Sequence, residues 1–251
     1  MMDDLFLVNG TALSADQIKE LYEGRIYGEL RPNQYGTTVG LWHLNGNSTD
    51  SSGNNNHGTD TAITYSQANG KFGQGASLNG SSSFIYFGNV SGLTSNVTVS
   101  AWLNVAAFPT SGNQNYAVSK GFEGSSTQLE FYLDNVSGTV KFKFDTYNGA
   151  IHGTEWAIAN WRTGQWHHLV GVFNGTAWKI YFDGNQVAST NDSTAPQSTS
   201  RNLCIGGVDT SGAAPPVGFY NGKIDEVQVS STALTANQIR TMYALGKGMY
   251  Q

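Results

Sequence analysis

The sequence has one cysteine, few charged side chains and no long apolar run. Because Cys204 is the only cysteine, no disulfide can form within the chain, and its neighbours Leu203 and Ile205 predict a buried strand thiol rather than a reactive one. Charged residues make up 12% of the 251 residues, against about 25% in a typical soluble domain. No stretch approaches the roughly 20 apolar residues of a membrane span, so we expect no membrane-spanning helix.

Positive charge is also scarce. The formal net charge is −5, and Lys and Arg form no basic run. Nucleic-acid binding needs clustered Lys and Arg, so we expect no nucleic acid as a partner. The first ten residues, MMDDLFLVNG, lack the charged-then-apolar layout of a signal peptide.

Short polar residues are abundant, and they favour strands and turns. The sequence holds 31 glycines together with many Asn, Ser and Thr residues. Apolar and polar residues alternate in segments 96–105, 128–133, 139–145 and 177–187, and the last contains an Asp183-Gly184 turn. Segment 166–173 is apolar on both faces, as in a central strand. Many short strands with Gly and Asn turns predict an all-β sandwich or barrel.

One stretch of sequence occurs twice, at residues 3–22 and again at 224–243. Identical pairs include Asp4/Asp225, Val8/Val229, Thr11/Thr232, Ala12/Ala233, Leu13/Leu234, Gln17/Gln238, Ile18/Ile239 and Tyr22/Tyr243. A repeat at this spacing is a whole domain. We therefore expect residues 1–24 to be the strand-helix tail of a preceding copy, 25–34 a linker and 35–251 a complete domain.

Each copy predicts a strand followed by a helix. Asp225, Val227 and Val229 are two residues apart, so they should point to the same face of the predicted strand. Thr235 with Gln238 forms a capping box, and Gly246 stands where the helix would stop.

Six motifs follow one another in order along the chain. They are GLWHLNGNSTDSSGNNNHGT, FGQGASLNGSSSFIYF, VTVSAWLNV, GQWHHLVGVFNGTAWKIYFDGNQV, LCIGG and FYNGKIDEVQVSSTALTANQI. Together they resemble the laminin-G-like, concanavalin-A-like jelly-roll family of the bacterial and phage type, over residues 36–246. The resemblance implies two antiparallel sheets packed face to face, a structural calcium ion (Ca2+) near the sheet edge, and a non-catalytic role in glycan binding or adhesion.

Residues 45–59 form an oxygen-rich loop of the kind that suits calcium, which takes 6–8 oxygen ligands. The resemblance places Asp50 and Asp225 at the ion, and we add Asn55 and His57. The alternative is a polar turn capped by Asp50, with Asp225 hydrogen-bonded to backbone.

The sequence does not predict catalysis. Glycoside hydrolysis needs two carboxylates across a cleft, and enzymes of this fold present them on one strand as E-x-D-x-x-E. The nearest approaches, Glu130 with Asp134 and Asp225 with Glu226, have the wrong spacing or point to opposite faces. No C-x-x-C or H-E-x-x-H pattern indicates a zinc site.

A glycan site requires aromatic platforms beside planar polar groups. Trp156 and Trp161 lie in one segment with Asn160 and Arg162. Tyr116 and Tyr147 lie in or near predicted loops, so we include them as candidates. The alternative is that these rings fill the hydrophobic edge of the sandwich.

The sequence therefore predicts a non-catalytic, calcium-stabilised module that binds glycans or mediates adhesion outside the cell, on a cell surface or on a virion. One alternative is a structural or decoration protein of a virion, fibre or surface layer that contacts only proteins. Another is an accessory carbohydrate-binding domain of a larger enzyme. The repeat also predicts self-assembly through residues 3–22, because an unpaired strand is a template for pairing.

Overall fold

The chain folds as a sandwich of two antiparallel sheets with a C-terminal helix. We describe residues 30–122, 127–158, 160–210 and 216–247 of a computed structural model. The all-β jelly-roll fold predicted from the sequence is confirmed. The predicted tail at 1–24 and most of the linker at 25–34 lie outside the described residues, so self-assembly through 3–22 stays a prediction.

The first sheet has eight strands among the described residues. They are β1 (Thr38–Trp42), β3 (Thr64–Ser66), β4 (Gly75–Asn79), β6 (Val97–Val105), β11 (Trp166–Phe173), β12 (Ala177–Phe182), β13 (Asn185–Asn191) and β15 (Asn221–Ser230). Their order is β13-β12-β11-β6-β15-β4-β3, and β1 also pairs with β15. The strands predicted in segments 96–105 and 166–173, and the hairpin at Asp183-Gly184, are confirmed.

The second sheet has seven described strands. They are β2 (Thr59–Thr61), β5 (Phe84–Tyr86), β7 (Gln114–Lys120), β8 (Leu129–Val136), β9 (Thr139–Tyr147), β10 (Ile151–Ala157) and β14 (Leu203–Ile205). Their order is β10-β9-β8-β7-β14-β5-β2. The alternation in segments 128–133 and 139–145 thus predicts β8 and β9 correctly.

The main core lies between the two sheets and is built by strand alternation. Phe131, Phe142 and Phe144 of the second sheet face Trp178 and Ile180 of the first, and all five are buried. Cys204 is buried as expected, and burial raises the pKa of its thiol. Each core residue's strand neighbours point to the opposite face of the sheet.

A helix covers the other face of the first sheet. Helix α1 (Ala236–Lys247) buries Ile239 and Met242 against an apolar cluster of that sheet. The predicted capping box is present, since the Gln238 amide donates to Thr235 Oγ1 and the Thr235 amide donates to Gln238 Oε1. The helix therefore covers the middle of this face, over strands β1, β11 and β12.

Gly246 does not end the helix, contrary to the sequence expectation. It lies inside α1, where a Cβ atom would stand 2.3 Å from Trp102 Cζ2. The absence of a side chain lets the last helical turn rest directly on the Trp102 ring.

The prediction that Asp225 points to the same face as Val227 and Val229 is wrong, because strand β15 contains a bulge. The pairing of β15 with β6 shifts between Asp225 and Gln228, and Glu226 has a left-handed φ of 48°. Val227 and Val229 lie in the main core, whereas Asp225 lies opposite Trp102 on the helix-covered side. The carboxylate is nevertheless buried, as predicted.

Candidate functional site

The face of the second sheet that points away from the core carries aromatic and charged side chains. We call it the outer face. Side chains alternate between the two faces of a strand, and the core-facing positions of these strands are filled by Ile85, Phe131, Leu133, Phe142 and Phe144. Their neighbours in sequence therefore point to the outer face. Three groups compose it: the aromatic end (Phe84, Tyr86 and the adjoining Phe219), the buried middle (Tyr116, Glu130, Tyr132 and Asp145) and the charged end (Asp134, Lys141, Lys143 and Glu155).

The buried middle joins two stacked rings to two carboxylates. The Tyr116 and Tyr132 rings stack with centroids 4.7 Å apart. The Tyr132 hydroxyl donates to Asp145 Oδ2 at 3.2 Å, and Glu130 lies directly opposite Asp145 on the neighbouring strand. Burial raises the pKa of Tyr132, as do the nearby Asp145 and Glu130 carboxylates, so the phenol remains a hydrogen-bond donor.

The charged end is a chain of alternating charges that reaches solvent. Lys143 Nζ lies 2.6 Å from Asp134 Oδ2 and 3.7 Å from Glu155 Oε2, and Lys141 pairs with Glu155. Burial opposes the charged form of Lys143, but the Asp134, Glu155 and Asp145 carboxylates together outweigh it and raise the pKa overall. The Lys141 hydrogen bond lowers the pKa of Glu155. Both carboxylates therefore act as acceptors.

The aromatic end offers ring surface to solvent. The Phe84 and Tyr86 rings meet edge to face with centroids 4.9 Å apart, and Phe219 lies 6.4 Å from Phe84. Tyr86 and Phe219 are half-buried, whereas Phe84 is buried. Such rings suit stacking against an apolar ligand face, and strand β5 positions Phe84 and Tyr86.

The predicted glycan residues divide between two places. Trp156 lies in β10, and Asn160, Trp161 and Arg162 lie between β10 and β11, at the edge of the sandwich. Asn160 and Arg162 are exposed. Trp161 is 5% exposed and packs in the main core, so it fills the sandwich edge.

Trp156 also packs at this edge. Its half-buried ring lies 4.8 Å from the Phe182 ring, on the core-facing side of β10. A part of the ring remains available to solvent.

The other two predicted glycan residues belong to the second sheet rather than to loops. Tyr116 lies in β7 and is fully buried in the middle of the outer face. Its ring therefore supports Tyr132 and presents no face to a sugar. Tyr147 ends β9, is half-buried and shares the parity of Lys143 and Asp145.

The carboxylate of Asp50 caps its own loop. Its Oδ1 accepts from the amides of Leu41 and Ser52 at 3.0 and 2.8 Å, and its Oδ2 accepts from the Asn56 amide at 2.9 Å. The Ser52 hydroxyl donates to Oδ2 at 2.8 Å. The amide of Asp50 donates to His57 Nδ1 at 3.1 Å, and His57 is exposed.

The carboxylate of Asp225 binds a different set of backbone amides. Its Oδ2 accepts from Lys71 and Phe72 at 2.7 and 2.8 Å, and its Oδ1 accepts from the Glu226 amide at 2.9 Å. Burial and the Glu226 charge raise the pKa of Asp225, while these three donors oppose that rise. Asn55 is exposed and has a left-handed φ of 60°.

The donors around both carboxylates fit backbone capping, because N–H hydrogens occupy the positions that a cation would take. Asp50 and Asp225 share none of these hydrogen-bond partners. Within the described ranges, no group of three or more His, Cys, Asp or Glu side chains could hold a metal ion. Calcium binding by Asp50, Asn55, His57 and Asp225 stays a prediction.

One serine–histidine pair has hydrogen-bond geometry but lies inside the protein. Ser100 Oγ and His168 Nε2 are 2.8 Å apart, and each residue is 1% exposed. His168 Nδ1 has no hydrogen-bond partner, so no carboxylate orients the ring. This pair therefore has no access to a substrate.

Sequence reasoning missed several outer-face residues. The sequence pattern presents Glu130 and Asp134 only as a possible catalytic pair, and it does not distinguish Tyr86 and Phe219 from other aromatic residues. The alternation in 139–145 does place Lys141, Lys143 and Asp145 outward. It gives no sign that these side chains meet Glu130, Tyr132 and Glu155, which come from other strands.

Known proteins share this architecture. The family model for the concanavalin A-like lectin/glucanases superfamily (laminin G type) matches residues 79–240. Domain 4 of AbnA, an extracellular arabinanase from Geobacillus stearothermophilus solved in complex with arabinotriose, superposes with a TM-score of 0.63 at 24% identity, covering 84% of this chain and 100% of that domain.

Two further solved structures share the fold over part of their length. The binding domain of botulinum neurotoxin DC, in complex with SialylT, has a TM-score of 0.63 at 12% identity, covering 84% of this chain and 52% of that one. Trypanosoma rangeli sialidase, in complex with sialic acid, has a TM-score of 0.59 at 16% identity, covering 84% and 33%. At these identities the likeness shows the fold alone.

Sequence comparison with curated proteins gives no match. In the described part of the chain, no helix has the length and apolar character needed to cross a bilayer. The match to the family model extends over more than half of the chain, in the region that forms the sandwich. The chain therefore belongs to the laminin-G-like family of the concanavalin A-like lectin/glucanase superfamily.

Proposed function

We propose that the protein is a non-catalytic glycan-binding module and that its ligand lies on the outer face of the second sheet. The observation that carries the proposal is the combination of half-buried rings at the aromatic end with carboxylate acceptors at the charged end. Sugars present both an apolar ring face and a rim of hydroxyl donors. Ligand sites generally combine apolar surface with a few placed polar groups.

The architecture supports this position. Helix α1 covers the middle of the far face of the first sheet, and the main core occupies the space between the sheets. Strands β10 and β13 meet at one edge, where the Thr190 hydroxyl donates to Thr154 Oγ1 at 3.0 Å. The outer face is thus a broad strand surface on which Tyr86 and Glu155 can reach a ligand, and Asp134, whose side chain is 10% exposed, lies beside Lys143 at its charged end.

Two relatives lend support by their ligands. The arabinanase domain was solved with arabinotriose and the neurotoxin domain with SialylT. Because this likeness shows the fold alone, it supports a carbohydrate in general and names no particular sugar.

A binding role fits the described carboxylates better than catalysis does. Glu130 and Asp145 face each other across β8 and β9, but they are 2% and 4% exposed. A glycosidase needs both carboxyl groups at the scissile bond. We therefore infer that this pair supports the face. A surface or extracellular location follows from the proposed role.

A broad glycan and polysaccharide array tests the proposal, run once with calcium and once with chelator. We expect binding to a defined sugar class under both conditions, because the outer-face carboxylates Asp134 and Glu155 are paired with lysines. A blank array with folded protein would contradict the proposal and favour the structural or decoration role. Binding that requires calcium would contradict the outer-face position and would favour a ligand site at the loop of Asp50.

A second candidate position is the sandwich edge at Trp156, Asn160 and Arg162. The exposed amide and guanidinium beside a half-buried indole favour it. Separate variants of the two positions distinguish them.

A further inference from the structure

Both lysines of the charged end are already paired with carboxylates. Lys143 Nζ lies 2.6 Å from Asp134 and 3.7 Å from Glu155, and Lys141 pairs with Glu155. The Lys143 and Asp134 side chains are 17% and 10% exposed, so their attraction is only partly screened by solvent. An incoming anion would have to displace a carboxylate from a lysine.

Carboxylates outnumber lysines on this face. Glu130, Asp134, Asp145 and Glu155 face outward, against Lys141 and Lys143. The Asp145 and Glu130 carboxylates are close enough to Tyr132 to raise the pKa of its phenol. The chain as a whole also carries a net charge of −5. Asp134 and Glu155 thus already neutralise both lysines, and the net negative charge of the chain disfavours an anionic ligand.

We propose that the outer face selects neutral glycans and rejects sialylated, sulfated and uronic ones, an inference that rests on the proposed function. Ionised carboxylates accept hydrogen bonds and cannot donate them. They bind sugar hydroxyls, which can donate, and they repel a ligand carboxylate or sulfate, which can only accept. Selectivity thus comes from a repulsive element built into the site as well as from an attractive one.

The test uses glycans in pairs that differ by an anionic group. Lactose is compared with sialyllactose and dextran with dextran sulfate, alongside neutral arabino-oligosaccharides, by calorimetry or affinity electrophoresis of the full chain. We expect any neutral ligand that binds to do so at least tenfold more tightly than its anionic counterpart. Added salt should narrow the difference, because it screens the repulsion.

Variants connect this selectivity to the charged end. The double variant Asp134→Asn with Glu155→Gln removes two acids and leaves both lysines available. We expect it to gain at least fivefold in affinity for the anionic member of the pair. Asp192→Asn is the matched control, because Asp192 pairs with His152 at the sandwich edge, and its selectivity should equal that of the parent.

The outcomes separate the two proposals. An anionic glycan that binds as tightly as its neutral counterpart, or more tightly, would overturn the inference and leave the proposed function standing. Failure of every neutral and anionic glycan to bind the folded protein would overturn the proposed function itself. A double variant with unchanged selectivity would also refute the role of the charged end.

Discussion

At the residue scale, His168 shows how burial sets chemistry in this protein. Its ring packs against Trp102 and Tyr243, with centroids 5.2 and 6.5 Å away, beneath helix α1. Burial lowers the pKa of His168 to about 4, and Asp183 only partly opposes that shift. The imidazole is therefore neutral in the folded protein at neutral pH.

His168 makes stability depend on pH. The unfolded chain binds a proton near pH 6.5, but the folded chain does so only near pH 4. Protonation therefore favours unfolding within this window, and acidification from 6.5 to 4 should remove on the order of 3 kcal/mol from the free energy of unfolding. Urea titrations across this range should show the loss. In the His168→Gln variant, the free energy of unfolding should fall less steeply as the pH is lowered, because the contribution of His168 is lost. The same pH dependence in the variant and the parent would contradict the assignment.

Asp225 shows the same principle for a buried carboxylate. Its oxygens accept three backbone amides, and Asn would offer one oxygen and an NH2 group in their place. We expect Asp225→Asn to lower the free energy of unfolding by about 3 kcal/mol, since buried donors lose their acceptor. Asp60→Asn, at an exposed position, is the matched control. A loss below about 0.5 kcal/mol in urea unfolding would contradict this account.

The sequence predicts that Asp225 is buried, because it alternates with Val227 and Val229 in the predicted strand. The alternative to the calcium site also gives Asp225 hydrogen bonds to backbone, and the structure has them, but the sequence does not identify the donors. The bulge at Glu226 reverses the side to which Asp225 points, and this depends on the pairing of β15 with β6, which no local pattern reveals. In the same way, Trp161 packs against Phe142 and Tyr116 against Tyr132, which lie on other strands. The sequence therefore could not show whether these rings are buried in the protein or exposed to a ligand.

At the scale of elements, the packing of helix α1 on the first sheet depends on a close contact between Gly246 and Trp102. The Gly246 backbone rests against Trp102, with no room for a Cβ atom. Gly246→Ala gains helix propensity of up to about 1 kcal/mol, but the rigid indole must move. We expect a net loss of about 1–2 kcal/mol, seen as a lower Tm.

A matched substitution on the same helix separates the two effects. Thr241→Ala changes an exposed helical position and should leave the Tm unchanged or slightly raised. A Gly246→Ala variant more stable than the parent would show that the ring yields and that the contact is not restrictive.

Elements were predicted well where local chemistry determines them. Alternation gave β6, β8, β9 and β12, and the capping box gave the start of α1. The role of Gly246 was misjudged because glycine after an apolar stripe is the usual C-terminal signal. Here tertiary packing against Trp102, far away in sequence, requires the glycine instead.

At the scale of the whole molecule, cooperating side chains come from strands that are distant in sequence. The aromatic end uses β5 and the 216–220 segment, and the charged end uses β8, β9 and β10. Motif order was sufficient to predict the sandwich. It could not predict the candidate site, because the sheet order β10-β9-β8-β7-β14-β5 brings these side chains together.

The hydrogen bonds around Asp50 and Asp225 indicate how calcium should affect the thermal stability of the protein. Backbone amides already donate to the oxygens of both carboxylates, so neither needs an ion to satisfy its acceptors. We expect the Tm to shift by less than about 2 °C between excess calcium and chelator, because a ligand that binds the native state would raise it. A large calcium-dependent rise would contradict the capping interpretation and support the predicted ligand set.

The most direct test of the central claim compares the two candidate positions with one ligand. Binding of an array-identified glycan would be measured for the parent, for Tyr86→Ala and Asp134→Ala on the outer face, and for Trp156→Ala and Arg162→Ala at the sandwich edge, with folding checked by thermal melts. We expect the outer-face variants to lose at least tenfold in affinity and the edge variants less than twofold. Loss confined to the edge variants, with folded outer-face variants binding like the parent, would contradict the account.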